Sequence, residues 1–439
     1  YTPAVTNAAG SSSMMLRQFP AFASRDFRLL FTNSVFVAAA NWALILARGW
    51  LVYDLTKSST AVGIVTFAGM APYIFAAPIA GALADRLDRR WLAIQAAWVS
   101  IIGTGLLAVV TLLGVVEVWH VVFFALLGGV SRAAQQPTAN AMAPSLVPPE
   151  HLMNAIALQS VSVHGSRIIG PLYGAILLET IGPGAVFAIS AVAMVAGTGA
   201  LWAIRYRTDL AGVVPRRLTE GLFTDVAEGI GYVFKDRRLA LVVVLVIFHC
   251  GLTMAFDSLM PALADGVGGG ERTYSAILIA LGAGAVVGTV SISRLANQAT
   301  QGRALAIAGF GSGAAMVVLG LGVTPQTVVA GAFLAGATQA AYMSISQVFV
   351  LGITPDRYRG RVMATYIMVA AGHMAFVNLG FGATADILGV RPLLIVPGLV
   401  WTAVFLGAFL AIPELRLLLR TGRFREYVGR QTAEPIAGG

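Results

Sequence analysis

The sequence predicts an all-α membrane protein in which twelve transmembrane helices form two pseudo-symmetric six-helix bundles. Three observations carry that expectation: the composition, the number of apolar stretches, and an internal repeat. Of 439 residues, 57% are apolar and 11% charged, and the mean hydropathy is +0.80. Soluble domains hold roughly 45–50% apolar and about 25% charged residues, so a soluble enzyme and a disordered chain are both excluded. With one cysteine, Cys250, an intrachain disulfide and a multi-cysteine metal cluster are excluded as well.

A spanning helix needs about 20 mostly apolar residues. Such stretches lie near 29–52, 61–84, 91–113, 120–146, 153–178, 184–204, 239–263, 273–293, 304–323, 327–352, 362–385 and 392–411. Hydrocarbon obliges each backbone polar group to find an internal partner, so these segments are expected to be helices. The ten-residue alternation of a barrel strand is absent. With the N-terminus placed in the cytoplasm, 23 of the 29 cations fall on the cytoplasmic side. Only Lys57, Arg272 and Arg391 fall outside, and Arg48, Arg132 and Arg167 fall within helices. That asymmetry puts both termini inside by the positive-inside rule. The net charge of +9 is then read as contact with anionic lipid headgroups, and nucleic acid is not expected as a partner.

The repeat supports the division into halves. Asp26 and Leu29 before segment 1 recur as Asp236 and Leu239 before segment 7, an offset of 210. Pro149-Glu150 recurs as Pro355-Asp356 (206), and Glu179…Gly182 as Asp386…Gly389 (207). Duplicated halves packed around a midplane site are the architecture of rocking secondary transporters. The expected organisation is a disordered tail without the apolar core of a signal peptide (1–20) and a first bundle (21–204). A cytoplasmic linker (205–238), a second bundle (239–411) and a cytoplasmic tail (412–439) follow. Within the linker Leu222, Phe223, Val226, Ile230, Val233 and Phe234 recur at helical spacing opposite Glu220, Asp225 and Glu228. That pattern predicts an amphipathic helix on the membrane surface, either a tether between the halves or a simple spacer.

Between segments 2 and 3 stands Gly81-Ala-Leu-Ala-Asp85-Arg86-Leu-Asp88-Arg89-Arg90. It resembles the signature loop of the major facilitator superfamily, G-x-x-x-D-R-x-G-R-R. Asp88 replaces the usual glycine, and Asp tolerates a left-handed backbone better than most residues. The second-half counterpart, Ser293 to Arg303, has Asn297 in place of the acid. The resemblance implies that Gly81, Asp85, Arg86 and Arg90 gate the cytoplasmic side against segment 11, whose entrance carries Arg361. Arg132-Ala-Ala-Gln135 is similar to the R-x-x-Q-G motif of proton-coupled drug exporters, with Gln136 replacing Gly. Gly170-Pro171-Leu-Tyr-Gly174-Ala175 is similar to the antiporter motif G-P-x-x-G-G, with Ala at its end. Arg25-Asp-Phe-Arg28, Trp50-Leu-Val-Tyr-Asp-Leu-Thr56 and Pro355-Asp-Arg-Tyr-Arg-Gly-Arg361 resemble the branch that holds enterobactin-type siderophore exporters and macrolide efflux pumps.

Ionisable groups inside spanning helices cost at least ~2.5–3.5 kcal/mol at the bilayer centre and usually face a cavity or a partner. At 1.5 Å per residue, Arg132 and Arg167 lie about 18 and about 20 Å into segments 4 and 5, near the midplane. Both are expected to line a substrate cavity, with Gln135, Gln136, Asn140, Tyr342, Gln347 and Tyr366 as further polar lining. Arg48 and Asp257 lie about 27 and about 26 Å along segments 1 and 7, so an external gating pair is expected. Asp257, His164 and His373 are the candidate proton carriers. Asn378 and Gln339 are further candidate cavity groups, with an interhelical bond as the commoner alternative, and His249 reads as an interhelical bond.

No phosphate-binding Gly-rich loop, H-E-x-x-H or G-x-S-x-G is found, so neither an ATP engine nor an enzyme is expected. No cofactor and no metal are expected either. The spanning segments hold three arginines and one acid, a charge of 3 − 1 = +2, which favours anionic or amphiphilic solutes. The sequence therefore reads as a monomeric, proton-coupled secondary exporter of a small molecule in a bacterial inner membrane. The alternatives are a non-transporting assembly or sensing partner, or a facilitator or importer of the same fold.

Overall fold

The structure is a computed structural model that describes residues 19–76, 79, 88–205, 222–293, 295, 297–355 and 358–424; the side chains of 136, 137, 140, 141 and 222–226 are outside the description. Twelve helices are long and apolar enough to cross a membrane, and among the described residues there is no strand. They are α1 (Arg25–Thr56), α2 (Ser59–Ala76), α3 (Arg89–Leu112), α4 (Val118–Met142), α5 (Leu152–Thr180) and α6 (Pro183–Trp202). The second set is α7 (Arg237–Gly266), α8 (Gly270–Ser293), α9 (Gln298–Leu321), α10 (Pro325–Ile353), α11 (Arg359–Leu388) and α12 (Pro392–Ala411). An even number of spans puts both described ends on one face, the terminal face; the other is the distal face.

Local chemistry sets the helix ends. Ser24, Ser58, Asp88, Asp236, Asn297 and Thr324 each accept a backbone N–H at a helix start, which satisfies donors that have no intrahelical partner. At Asp236, burial opposes the charged carboxyl, but hydrogen bonds from Arg238 outweigh it and hold that carboxyl below the usual range. Asp88 has φ −59°, not a left-handed backbone, and its Oδ1 accepts from the Arg90 and Trp91 amides. The acid is thus tolerated because it caps α3, a correction to the turn expected from the sequence. The repeat offset of 207 is visible in the backbone, since Gly182 and Gly389 end α5 and α11 at φ +110° and +80°, conformations that glycine adopts without a Cβ penalty.

Helix α7 was expected to run unbroken. Instead it is helical over Arg237–His249, widens to a π turn over Cys250–Met254, breaks at Ala255 and Phe256, and resumes at Met260–Gly266. Pro261 stands in the first turn of the resumed helix, where its missing N–H costs nothing, and it cannot bond back to the Asp257 carbonyl. The groups set free by the break are recovered from neighbours. Gln339 of α10 donates to the Thr253 carbonyl at 2.5 Å, and Asn378 of α11 accepts from the Ser258 amide at 3.1 Å. Both side chains therefore bond between helices, one of the two readings that their sequence context left open.

The apolar interior is distributed unevenly. One cluster, including Leu46, Val52, Phe256, Leu263, Tyr274 and Val328, runs through both halves at the distal end. Toward the terminal face it gives way to two separate clusters. One in the first half contains Phe27, Ile94, Leu146 and Leu201, and one in the second contains Val246, Tyr342, Tyr366 and Trp401. The halves share a core at one end only.

The amphipathic linker helix forms over Leu222–Lys235. It docks on α11, where Glu228 accepts from Arg361 at 2.6 Å and Tyr232 stacks on Tyr358 at 4.3 Å. Val233 is fully buried, but Phe234 is 58% exposed, so the apolar stripe is narrower than the sequence suggested.

Candidate functional site

Between the halves lies a cavity of about 370 Å³. On α1 it is lined by Asn41, Trp42, Ile45, Arg48 and Gly49, which share one helix face. Gly128 and Arg132 on α4 are four residues apart and face it together, and Arg167 enters from α5. The second half supplies Asp257 at the break of α7, Tyr274 and Gly282 of α8, Gln339 of α10, and Ile367 and Met374 of α11. The four intramembrane charges foreseen in the sequence are thus brought to a single chamber.

Their partners differ. The Arg167 guanidinium lies 4.7 Å from the centre of the Trp42 ring, and Asp257 is within its electrostatic reach. Asn378 lies beside Asp257 and accepts from the amide of the next residue, Ser258. Arg132 lies 5.9 Å from the Tyr73 ring centre. Arg48 lies across Gly128, and its Nε is buried without a hydrogen-bond partner. The expected Arg48–Asp257 ion pair is not formed within 4.0 Å: the bend in α7 turns Asp257 into the cavity beside Arg167.

The antiporter-like motif positions Arg167. A Cβ at Gly170 would meet the Ala39 carbonyl and Trp42, so glycine lets α5 lie directly on α1. Pro171 removes the donor that would bond the Arg167 carbonyl, and α8 approaches that carbonyl through Gly282. The motif residues Gly170, Pro171 and Gly174 thus act here through close packing.

The distal end is shut by contacts between halves. The Asp386 carboxylate, at the end of α11, caps the start of α2. It accepts from Ser58 Oγ (2.6 Å), the Ser59 amide (2.7 Å), the Thr60 amide (3.1 Å) and Thr60 Oγ1 (2.6 Å). Its repeat counterpart, Glu179 at the end of α5, accepts from Arg272 of α8. Tyr53 donates to Asp265 at 3.2 Å, and Tyr274 stacks on Trp50 to roof the cavity. These bonds join the two halves at the distal end.

Several expected site residues sit elsewhere. Tyr342 is 2% exposed, stacked on His249 at 4.1 Å and edge-on to Trp401; it belongs to the second-half core. Tyr366 is equally buried and donates to the Met343 sulfur. Gln347, Gln135, His164 and His373 are not among the lining residues; Gln135 donates to Ser131 Oγ, and His373 packs over Gly251. Arg90 donates to the carbonyls of Leu201 and Trp202 and so caps the end of α6, while Arg361 pairs with Glu228. Gly81, Asp85 and Arg86, and the side chains of Gln136 and Asn140, lie outside the described residues. Sequence reasoning missed Trp42, Tyr73 and Tyr274 as cavity walls. For Trp42 the available signal was its spacing of three from Ile45 and seven from Gly49 along α1.

Comparison with known proteins places this geometry. A family profile described as transmembrane secretion effector matches residues 17–423. Macrolide efflux protein A of Streptococcus pyogenes is 22% identical over 315 residues, covering 72% of this chain and 76% of that protein. The multidrug efflux pump Tap of Mycolicibacterium fortuitum is 23% identical, and the staphyloferrin A transporter of Staphylococcus aureus 21%; each pairing covers 83% of this chain and 90% of the relative. Among solved structures, a POT family transporter in complex with 5-aminolevulinic acid superposes with a TM-score of 0.70 at 14% identity. It covers 89% of this chain and 97% of that one. The nucleoside transporter NupG gives 0.70 at 12% identity, covering 88% and 99%.

Proposed function

The chain belongs to the transmembrane secretion effector family of major facilitator efflux transporters, and from that premise we propose that it is a proton-coupled exporter of an anionic or amphiphilic small molecule. Its two bundles, 21–204 and 239–411, rock about the central cavity in a bacterial inner membrane, with both termini in the cytoplasm. The orientation rests on the distribution of cations, 23 of which fall on the terminal side. The halves share their core at the distal end alone, which supports an inward-facing state that receives solute from the cytoplasm.

One observation carries the solute class: three guanidiniums and one carboxylate converge on a cavity walled by aromatic and aliphatic side chains. Such a surface repels organic cations and concentrates anions. Asp257 is the proton carrier of this reading, since it is the acid in the chamber and lies beside Arg167. Protonation of Asp257 releases Arg167, and an anionic solute in the chamber favours that protonation. The aromatic cluster of His249, Tyr342 and Trp401 lies outside the cavity, which stays open for a solute and supports transport over a purely structural role.

The test is uptake of candidate anionic amphiphiles into inverted vesicles at imposed pH gradients, comparing wild type with Asp257→Asn and Arg132→Ala. Accumulation that follows the gradient in wild type, loses pH dependence in Asp257→Asn and fails in Arg132→Ala is the expected result. Gradient-driven accumulation unchanged in Asp257→Asn removes the carrier assignment.

A further inference from the structure

We propose that Arg48 and Arg132 form a paired-guanidinium seat for two negative charges, so that the transported solute is a compact organic dianion of the dicarboxylate type. This rests on the exporter reading and narrows its solute class.

The cavity charges do not cancel uniformly. Arg167 has Asp257 as its counter-charge and the Trp42 ring beneath it. Arg48 and Arg132 have neither an acidic partner nor a hydrogen-bond acceptor among the described residues. They lie near enough to repel each other, because Arg48 crosses the α4 surface at Gly128, one turn from Arg132. The unmatched charge of the chamber therefore falls on Arg48 and Arg132, with Arg132 also within electrostatic reach of Arg167.

An unmatched cation inside a membrane span is costly, and two side by side are more so. Among the described residues none supplies an anion to this pair, so the counter-charge is assigned to the solute. A cationic solute adds a third like charge. A neutral one leaves both guanidiniums unmatched, and a monoanion leaves one. Two carboxylates on a short skeleton satisfy both, since each guanidinium offers a planar fork of donors that a carboxylate accepts bidentately. The remaining wall is apolar and aromatic, with Trp42, Ile45, Tyr274, Ile367 and Met374, and suits a carbon skeleton. The cavity of about 370 Å³ falls within the range that small-molecule sites occupy and admits a compact diacid.

The test uses the purified full-length protein in detergent and the charge series phthalate, monomethyl phthalate and dimethyl phthalate, read by saturable thermal stabilisation. Phthalate is expected to bind about 10- to 100-fold more tightly than the half-ester, the worth of one charge-assisted contact, and the diester not to bind. Arg48→Gln and Arg132→Gln are each expected to erase the preference for the diacid over the half-ester. Equal affinity for diacid and half-ester in wild type overturns the proposal, and that comparison needs no variant to fold. No response to phthalate, or a preference that survives both glutamine variants, overturns it as well. A neutral macrolide that binds saturably while phthalate does not overturns the dianion assignment and leaves the exporter standing. Loss of gradient-driven transport for every solute instead strikes the exporter reading.

Discussion

At three cavity-level positions the first half carries Arg48, Arg132 and Arg167, and the repeat offset carries these onto Asp257 (257 − 48 = 209), Gln339 (339 − 132 = 207) and His373 (373 − 167 = 206). All three arginines line the cavity, as do Asp257 and Gln339. Gln339, however, bonds the broken α7, and His373 packs over Gly251 away from the chamber. The second half uses its polar residues to mend its own backbone and to stack a sealed aromatic core, whereas the first half leaves Arg48 and Arg132 without an acidic partner among the described residues. Duplication fixes where a helix presents a residue to the pocket. The residue placed there decides whether the position binds a solute or holds a helix together.

The largest effect expected from breaking this contrast lies in the sealed core. Trp401 is fully buried and donates to the Gly309 carbonyl at 2.7 Å. Trp401→Ala is expected to cost about 3–5 kcal/mol, read as a lower midpoint in thermal unfolding in detergent, with solute affinity of the folded fraction unchanged. Next comes the charged side: Arg132→Gln is expected to lower initial transport by about 10- to 100-fold, equal to ~1.4–2.7 kcal/mol, with little change in that midpoint. Reversed outcomes for these two would erase the division between the halves.

The distal contacts sharpen the comparison further. Asp386→Ala removes four accepted bonds at the start of α2. It is expected to shift the balance toward the distally open state by about 1–3 kcal/mol. Spin labels on Lys57→Cys and Ile387→Cys read this as a longer distance population, since both positions are exposed. The smallest effect is expected for Glu179→Gln, whose partner Arg272 is 79% exposed. Solvent-facing pairs contribute about 0–1 kcal/mol, so the same labels should barely respond. An equal response to both changes would show that the two seams bear the closure equally.

Much of this was legible in the chain because membrane spans are long and uniformly apolar. The same uniformity hid the rest. Arg132 and Arg167 could be placed near the midplane by counting 1.5 Å per residue, and both line the cavity. That arithmetic misjudged Arg48 and Asp257, since it assumes straight helices and ignores the reach of an arginine. Pro261 was in plain view, but the break in α7 depends on partners from α10 and α11 that no local pattern reveals. Tyr342 and Tyr366 are polar in composition and core in fact, because packing from α7 and α12 closes over them. Arg90 illustrates a different limit: its carbonyl acceptors belong to residues more than 100 positions away.

The solitary thiol, Cys250, is wholly buried in the π turn of α7 against the Met343 sulfur. Maleimides and methanethiosulfonates react with accessible thiolates, and a shielded thiol is inert toward them. The unaltered chain thus serves as a silent background for site-directed labelling, and any cysteine introduced at a seam can be followed without first removing a native one.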